Sequence, residues 1–422
     1  MSPKILIITR DFPPYYHSLG GVVRTLKMAE YLLDHGVDVY VLAAKGKPIS
    51  YFGYEDTVKR LKVTYVDNLW QAFYNDQQMR FQNQAGSLLS PDNPVSSFIR
   101  NAIPDLCVPD IFVFFINSFV KQAKRLIKDN GIPNVLISTP PHSLQLAGLK
   151  LKRHFKERIQ LLVDYRDSWN TRGLCKKRNP VSQWFNAKCE RDVLSAADRF
   201  LYCSQPMLGK IHQTIAPVES KATLMCNGYD RNAVPAADPK AKNKILTISF
   251  LGRMSDQPES TMNPGNFFRI ISEFPHPVQC RLVGPVLISQ SWRDRLGDKL
   301  HISPPVSHPQ AIDLMRDSDI LLILYSDRDG SDEVISGKLY DYMVAERPVL
   351  VIGPPDMEAR RIVLNEGIGY AADIDDEAEM RKVLNDIYAR WESGQLPAYS
   401  IESLKEYSRD SQYAKLLPLL KP

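Results

Sequence analysis

Short apolar runs recur along the chain, each followed by a longer stretch whose apolar positions fall three or four apart. The first run covers residues 5–9. A Gly-Gly loop follows it, then a helical pattern through Tyr31-Leu32-Leu33, and then a second run at 37–43. That order is a βαβ unit, because a continuously apolar strand needs cover on both faces. Runs at 63–66, 135–138, 160–164 and 200–203 extend it into a parallel sheet. Between 227 and 244 the chain turns polar, with Asn227-Gly228-Tyr229-Asp230, Pro235, Pro239 and several lysines, which predicts an exposed connector at a domain boundary. A second alternation then begins, with strands expected at 245–251, 278–283, 319–324 and 348–352.

Two stretches depart from this rhythm. Residues 68–132 are rich in aromatic and amide side chains and carry Pro91, Pro94, Pro104 and Pro109, and they read as helical insertions. The tail at 401–420 spaces Leu404, Tyr407, Tyr413, Leu416 and Leu417 at roughly helical intervals and reads as a closing helix. No internal repeat or low-complexity tract appears.

Length agrees with this pattern, since 422 residues suit two α/β domains better than one. Hydrophobic residues at 44% and charged residues at 24% exclude intrinsic disorder. A net charge of +5 is too small for a dedicated nucleic-acid binder. Six cysteines without a CxxC pair point to reduced thiols in a cytoplasmic protein and indicate neither a zinc site nor a disulfide framework. The first apolar run is too short for a signal peptide, and residues 111–116 fall short of the roughly 20 needed to span a bilayer. The basic stretch 121–128, with Lys121, Lys124, Arg125 and Lys128, reads as a solvated helix face or as one that approaches anionic lipid from the cytoplasm, each cation then contributing about 1 kcal/mol.

The chemistry concentrates at the ends of expected strands. Gly20 and Gly21 stand at the mouth of the first helix, as a plain turn or as a place where backbone N–H groups meet a ligand. The third glycine of a dinucleotide fingerprint is missing, and no Walker-type GKS or GKT follows. Residues 332–350 read as loop, helix and strand. Ser336 suits the N-cap, Gly337 permits close approach, Lys338 adds a charge, and a diphosphate could sit on the first N–H groups. Glu333 precedes that helix, and Asp341, one turn in, could accept from the two vicinal hydroxyls of a ribose. Gly252 and Arg253 end another strand, where an arginine could clamp phosphate oxygens. In the first half, His142 follows one strand as a structural residue, a hydrogen-bond donor or a proton carrier. Arg166 and Asp167 follow another, and Asp167 could orient an acceptor hydroxyl.

With these residues in place, the chain resembles the GT-B glycosyltransferases of family 4, the group 1 glycosyltransferases. The resemblance runs through Phe12-Pro13-Pro14 to Gly20-Gly21, Asn227-Gly228-Tyr229-Asp230, Gly252-Arg253, and Glu333 with Asp341 as the paired acids. It implies an α/β protein of GT-B architecture, with two Rossmann-like doubly wound domains facing across a cleft. Residues 1–228 would bind the acceptor, 229–407 the nucleotide-sugar donor, and a C-terminal helix at 408–422 would cross back to the first domain. The implied reaction is transfer of a sugar from a nucleotide-diphosphate sugar to a glycan or lipid-linked acceptor, with retention and without metal or cofactor, as in a bacterial polysaccharide-assembly branch.

By the same resemblance Arg253 and Lys338 neutralise the leaving diphosphate, Glu333 contacts the donor sugar, and Asp341 holds the ribose. Gly21 would by that resemblance approach the donor phosphate; the residues themselves add Gly20, Gly252, Ser336, Gly337 and Leu339 as donor-binding, His142 as catalytic beside Arg253, Lys338 and Glu333, and Arg166 and Asp167 at the acceptor or cleft wall. The chain departs from the family where Asp341 replaces a glutamate and Pro258 a lysine. Those departures leave open a catalytically degenerate binding partner in a glycan-assembly complex, and a GT-B nucleotide-sugar epimerase sharing the donor domain is the other alternative.

Overall fold

The structure is a computed structural model. It describes residues 2–16, 19–46, 48, 54–67, 107–171, 178–233 and 242–422. The chain divides into unit 1, Met1–Cys226 with Gln412–Pro422, and unit 2, Asn227–Ser411.

Unit 1 is built on a parallel sheet of β1 (Lys4–Ile8), β2 (Asp38–Ala44), β3 (Lys62–Val66), β4 (Asn134–Thr139), β5 (Gln160–Tyr165), β6 (Arg199–Tyr202) and β7 (Ala222–Leu224), in the order β3-β2-β1-β4-β5-β6-β7. Its helices are α1 (Leu19–Asp34), α2 (Glu55–Arg60), α3 (Ile116–Asn130), α4 (Ser143–Phe155), α5 (Pro180–Ala196) and α6 (Gln205–Thr214). Strand side chains alternate between two cores: Leu6 and Ile8 pack under α3 and α4, while Ile5 and Ile7 pack with Leu26, Leu32 and Tyr413. Both faces are therefore covered, which is why these strands read as unbroken apolar runs.

Unit 2 repeats the plan with β8 (Leu246–Leu251), β9 (Met254–Ser255), α7 (Gly265–Glu273), β10 (Val278–Val283), β11 (Val286–Leu287), α8 (Gln290–Leu296), β12 (Leu300–Ser303), α9 (His308–Arg316), β13 (Ile320–Leu324), α10 (Gly337–Ala345), β14 (Val349–Ile352), α11 (Glu358–Asn365), β15 (Gly369–Ala372) and α12 (Glu377–Ser393). Its main sheet is parallel in the order β12-β10-β8-β13-β14-β15. Both sheets thus have a switch point, between β1 and β4 and between β8 and β13. There the crossovers diverge to opposite faces and open a crevice at the carboxyl ends of the strands.

Some expectations need correction. β7, β12 and β15 were not legible as apolar runs, because each is short and only partly buried at one or more positions. The tail is not one helix: a 3-10 run at Ile401–Tyr407 stops at extended Ser408, α13 covers Arg409–Ala414, and a 3-10 turn carries Pro418. The Asn227–Asp230 stretch is no exposed connector, since Tyr229 is buried and exchanges backbone hydrogen bonds with Tyr407 and Arg409 at 2.9 and 2.8 Å. Gly228 makes this pairing possible, because its φ is +75° and a Cβ would meet the Arg409 nitrogen at 2.8 Å. Pro235 and Pro239, most of the 68–132 interval and Cys175 lie outside the described residues. Within that interval Ile111–Phe115 is a 3-10 turn leading into α3.

Candidate functional site

The switch point of unit 2 brings the separated candidates together. β8 and β13 pair only at Ile320↔Ile248 and Leu321↔Ser249. Beyond that register Tyr342 of α10 takes over, accepting from the Leu251 N–H at 3.3 Å and donating to the Leu322 carbonyl at 3.2 Å. One phenol therefore fastens the helix carrying Lys338 and Asp341 to both diverging strands. β8 ends in Gly252 at φ +135°, and a Cβ there would fall 2.9 Å from the Lys338 Nζ. The absent side chain is the space the lysine occupies.

The Lys338 ammonium lies 4.3 Å from the Phe250 ring centroid and 3.7 Å from Met262 Sδ, and no described carboxylate pairs with it. Burial lowers its pKa to about 8. A partly desolvated cation without a counter-ion is unfavourable in isolation, and an arriving anion would relieve that cost. Arg253 follows Gly252, is exposed, and forms no ion pair with a described residue. Lys338 Nζ thus reaches the carboxyl end of β8, where Arg253 is the next residue in the chain.

The start of α10 is a capped helix end. Ser336 Oγ accepts the Lys338 N–H at 3.3 Å and the Ser336 carbonyl accepts the Leu339 N–H at 3.0 Å. Of the three leading amides, that of exposed Gly337 has no described partner, so the site offers fewer free N–H groups than the sequence suggested. Leu339 is fully buried and anchors the helix, which leaves its side chain no route to a ligand. Asp341 Oδ1 stands 3.5 Å from His308 Nε2 at the start of α9, and this contact raises the His308 pKa. Glu333 lies in a buried run with Ser331 and Asp332, just ahead of the cap. The carbonyl of Pro258, where the resembled family has a lysine, accepts from Arg328.

In unit 1 a second cluster forms beside the β1–β4 switch point. Gly20 and Gly21 lie in the first turn of α1, and a Cβ on Gly21 would collide with the Arg166 guanidinium. Arg166 Nε is 3.2 Å from Asp167 Oδ2, so these three residues are neighbours. His142 follows β4 and stacks on Trp169, with centroids 5.4 Å apart and planes within 9°. Burial lowers its pKa to about 4, against the opposing pull of Asp110 and Asp167. The ring is therefore held neutral near pH 7. Its Nδ1 is buried without a hydrogen-bond partner among the described residues.

Several supporting residues carried no motif. Trp169 Nε1 donates to Asn186 Oδ1 at 2.9 Å, and Asn170 Nδ2 donates to Glu190 Oε2 at 2.6 Å, which fixes the ring beneath His142. Arg24 pairs with Asp164 at 2.7 Å, both almost wholly buried, and donates to the carbonyls of Met225 and Cys226. Asp164 ends a strand expected from the sequence and Trp169 lies two residues beyond Asp167, whereas Arg24, Asn186, Glu190, His308 and Tyr342 sit on helices where only tertiary contact shows their surroundings.

No family model matches the chain, and no curated protein sequence matches it. Solved structures do. A sucrose-phosphate synthase from Thermosynechococcus elongatus aligns with TM-score 0.66 at 14% identity, covering 99% of this chain and 98% of that one. The lipopolysaccharide outer core galactosyltransferase WaaB aligns with TM-score 0.60 at 12% identity over 98% of both chains. HepE from Anabaena, in complex with UDP-glucose, aligns with TM-score 0.57 at 13% identity, covering 99% of this chain and 100% of that one. With two parallel Rossmann-like sheets and similarity spanning the whole chain, this protein has the GT-B fold of glycosyltransferases.

Proposed function

We infer that the protein is a glycosyltransferase that takes a sugar from a nucleotide-diphosphate donor and passes it, with retention and without metal, to a glycan or lipid-linked acceptor in surface polysaccharide assembly. The observation that carries this reading is the meeting of Gly252 and Lys338 at the switch point of unit 2, next to Arg253 in sequence, where a partly buried ammonium has no carboxylate partner among the described residues. Departure of a nucleoside diphosphate develops negative charge on its phosphate oxygens. Preorganised cations at that place would stabilise it without reorganisation. The Gly337 N–H and the positive end of α10 add to the same field.

Asp341 would receive the ribose hydroxyls and Glu333 the donor sugar. In unit 1, Arg166 and Asp167 would form the acceptor-side group with His142 beside them, while Gly21 would serve the donor. The similarity of HepE, solved with UDP-glucose, favours a nucleotide sugar as donor.

A thermal-shift screen of nucleoside diphosphates and their sugars tests the reading. A ligand at 100 times its dissociation constant should stabilise by about 2.7 kcal/mol. Lys338→Ala and Arg253→Ala should each remove most of that shift and of donor turnover. Wild-type stability indifferent to every nucleotide, or near-normal turnover in both variants, would reject it.

A further inference from the structure

The buried side of α5 is of mixed character. Cys189, Val193 and Leu194 pack into the hydrophobic core, as expected of a helix that covers a sheet. The same side also carries Ser182, Asn186 and Glu190, spaced four apart and buried, Asn186 and Glu190 wholly so. An amide and a carboxylate buried where leucine could pack cost stability unless partners satisfy them. Where those partners lie is therefore informative.

They converge on the two rings that flank His142. Asn186 Oδ1 accepts from Trp169 Nε1 at 2.9 Å, and Asn186 Nδ2 donates to Asn170 Oδ1 at 2.7 Å. Asn170 Nδ2 donates to Glu190 Oε2 at 2.6 Å and to the Asn186 carbonyl at 3.3 Å, which closes a circuit of hydrogen bonds between α5 and the loop after β5. Glu190 also stands beside the second ring, since burial and then this carboxylate push the Tyr165 phenol well above its ordinary range. Trp169 stacks on His142, while Tyr165 meets it edge-on, with centroids 5.7 Å apart and planes at 67°. Asp110, Asp167, Arg166 and the Ser168 backbone face the same imidazole. Asp110 is engaged elsewhere, accepting from the N–H groups of Phe112 and Ser143 at 2.9 and 3.0 Å. The orientation of the ring thus rests on Trp169, Tyr165 and Ser168, and Ser168 adjoins Trp169 in the loop that Asn186 fastens.

We propose that Asn186 and Glu190 are positioning residues for His142, holding its plane and keeping water from it through Trp169, Asn170 and Tyr165. The part His142 plays in sugar transfer rests on the transferase reading, whereas its positioning is testable without substrate. A merely structural role for the two residues would tie every loss of turnover to a loss of stability.

The full chain with isotope-labelled histidine would be titrated by NMR, His142→Ala giving the assignment. Trp169→Phe combined with Asn186→Leu replaces both hydrogen-bonding partners by apolar groups, so this double variant should melt near the wild type and above Asn186→Leu alone. Its His142 should nevertheless titrate closer to the ordinary 6.5 than the wild-type ring does, because a released ring is hydrated. Consumption of the nucleotide sugar that most stabilises the wild type should fall about tenfold or more in this variant, while the thermal shift that sugar produces persists. Glu190→Leu should move the His142 titration in the same direction, and Glu190→Gln, which keeps an acceptor for Asn170, should restore it. The proposal is overturned if His142 titrates as in the wild type in both the double variant and Glu190→Leu, if turnover falls only in step with melting temperature, or if His142→Ala turns over normally. Should the double variant fail to fold, Trp169→Phe alone, which keeps a stacked ring and loses only the N–H, decides by the same titration. Failure of every nucleotide to stabilise the chain would sink the transferase reading instead and leave the titration to decide the positioning.

Discussion

Lys338 carries a burial penalty that can be measured. Its folded pKa of about 8 lies below the ordinary lysine value, so the unfolded chain binds the extra proton more readily between pH 8 and about 10.4. The penalty is therefore fully present at pH 7 and is relieved as pH rises through 8. Lys338→Met should raise stability at pH 7 by about 1–3 kcal/mol in urea denaturation while nucleotide affinity collapses. Nucleotide affinity in the wild type should fall as pH rises past 8, and calorimetry in buffers of different ionisation heat should detect proton uptake on binding there. Gly252 is the other sensitive residue. Gly252→Ala meets both φ +135° and the lysine, and should lose about 1–3 kcal/mol of stability together with donor affinity. His142 works in the acid range. With a folded pKa of about 4 against an ordinary 6.5, its contribution is present above pH 6.5 and is lost as pH falls toward 4, and imidazole chemical shifts would follow it.

Between elements, the decisive joints are side chains that stand in for missing backbone pairing. Arg24 of α1 and Asp164 of β5 form a buried pair to which Ser138 of β4 adds a hydroxyl donor at 2.7 Å, while the guanidinium also holds the carbonyls that end unit 1's main segment. Removing one partner strands the other charge. Arg24→Met or Asp164→Asn should each cost about 3–5 kcal/mol, and the double substitution should cost less than the sum. A cycle showing simple additivity would mean that the pair does not act as a unit. α5 illustrates why such joints escape a pattern-based reading: Asn186 and Glu190 look like solvent-facing residues in sequence, and only the Trp169–Asn170 loop makes their burial favourable.

For the whole molecule, the last eleven residues belong to unit 1 although unit 2 precedes them in the chain. Tyr413 and Leu416 enter the unit 1 core, Tyr413 donates to the Arg24 carbonyl, and Asn134 exchanges hydrogen bonds with the Lys421 backbone at 2.9 Å each way. Deleting residues 412–422 should therefore lower hydrogen-exchange protection in β1 and β4 while leaving β8 and β13 protected. Loss confined to unit 2 would contradict that assignment.

Much of this architecture was legible beforehand, since apolar runs in β1, β2, β4, β5, β8 and β13 follow from burial on both faces, a local property of composition. The cap at Ser336, the glycine ending β8 and the acids at Glu333 and Asp341 were legible for the same reason: each is a local conformational or chemical requirement. What the tertiary structure alone decided is whom these residues meet. Gly252 faces Lys338 across 86 positions of chain, Asp341 meets His308 rather than standing free, and Arg24 finds Asp164 through a sheet order that no periodicity encodes. The reason is physical: strand formation depends on near neighbours, whereas electrostatic pairing depends on which strands become adjacent.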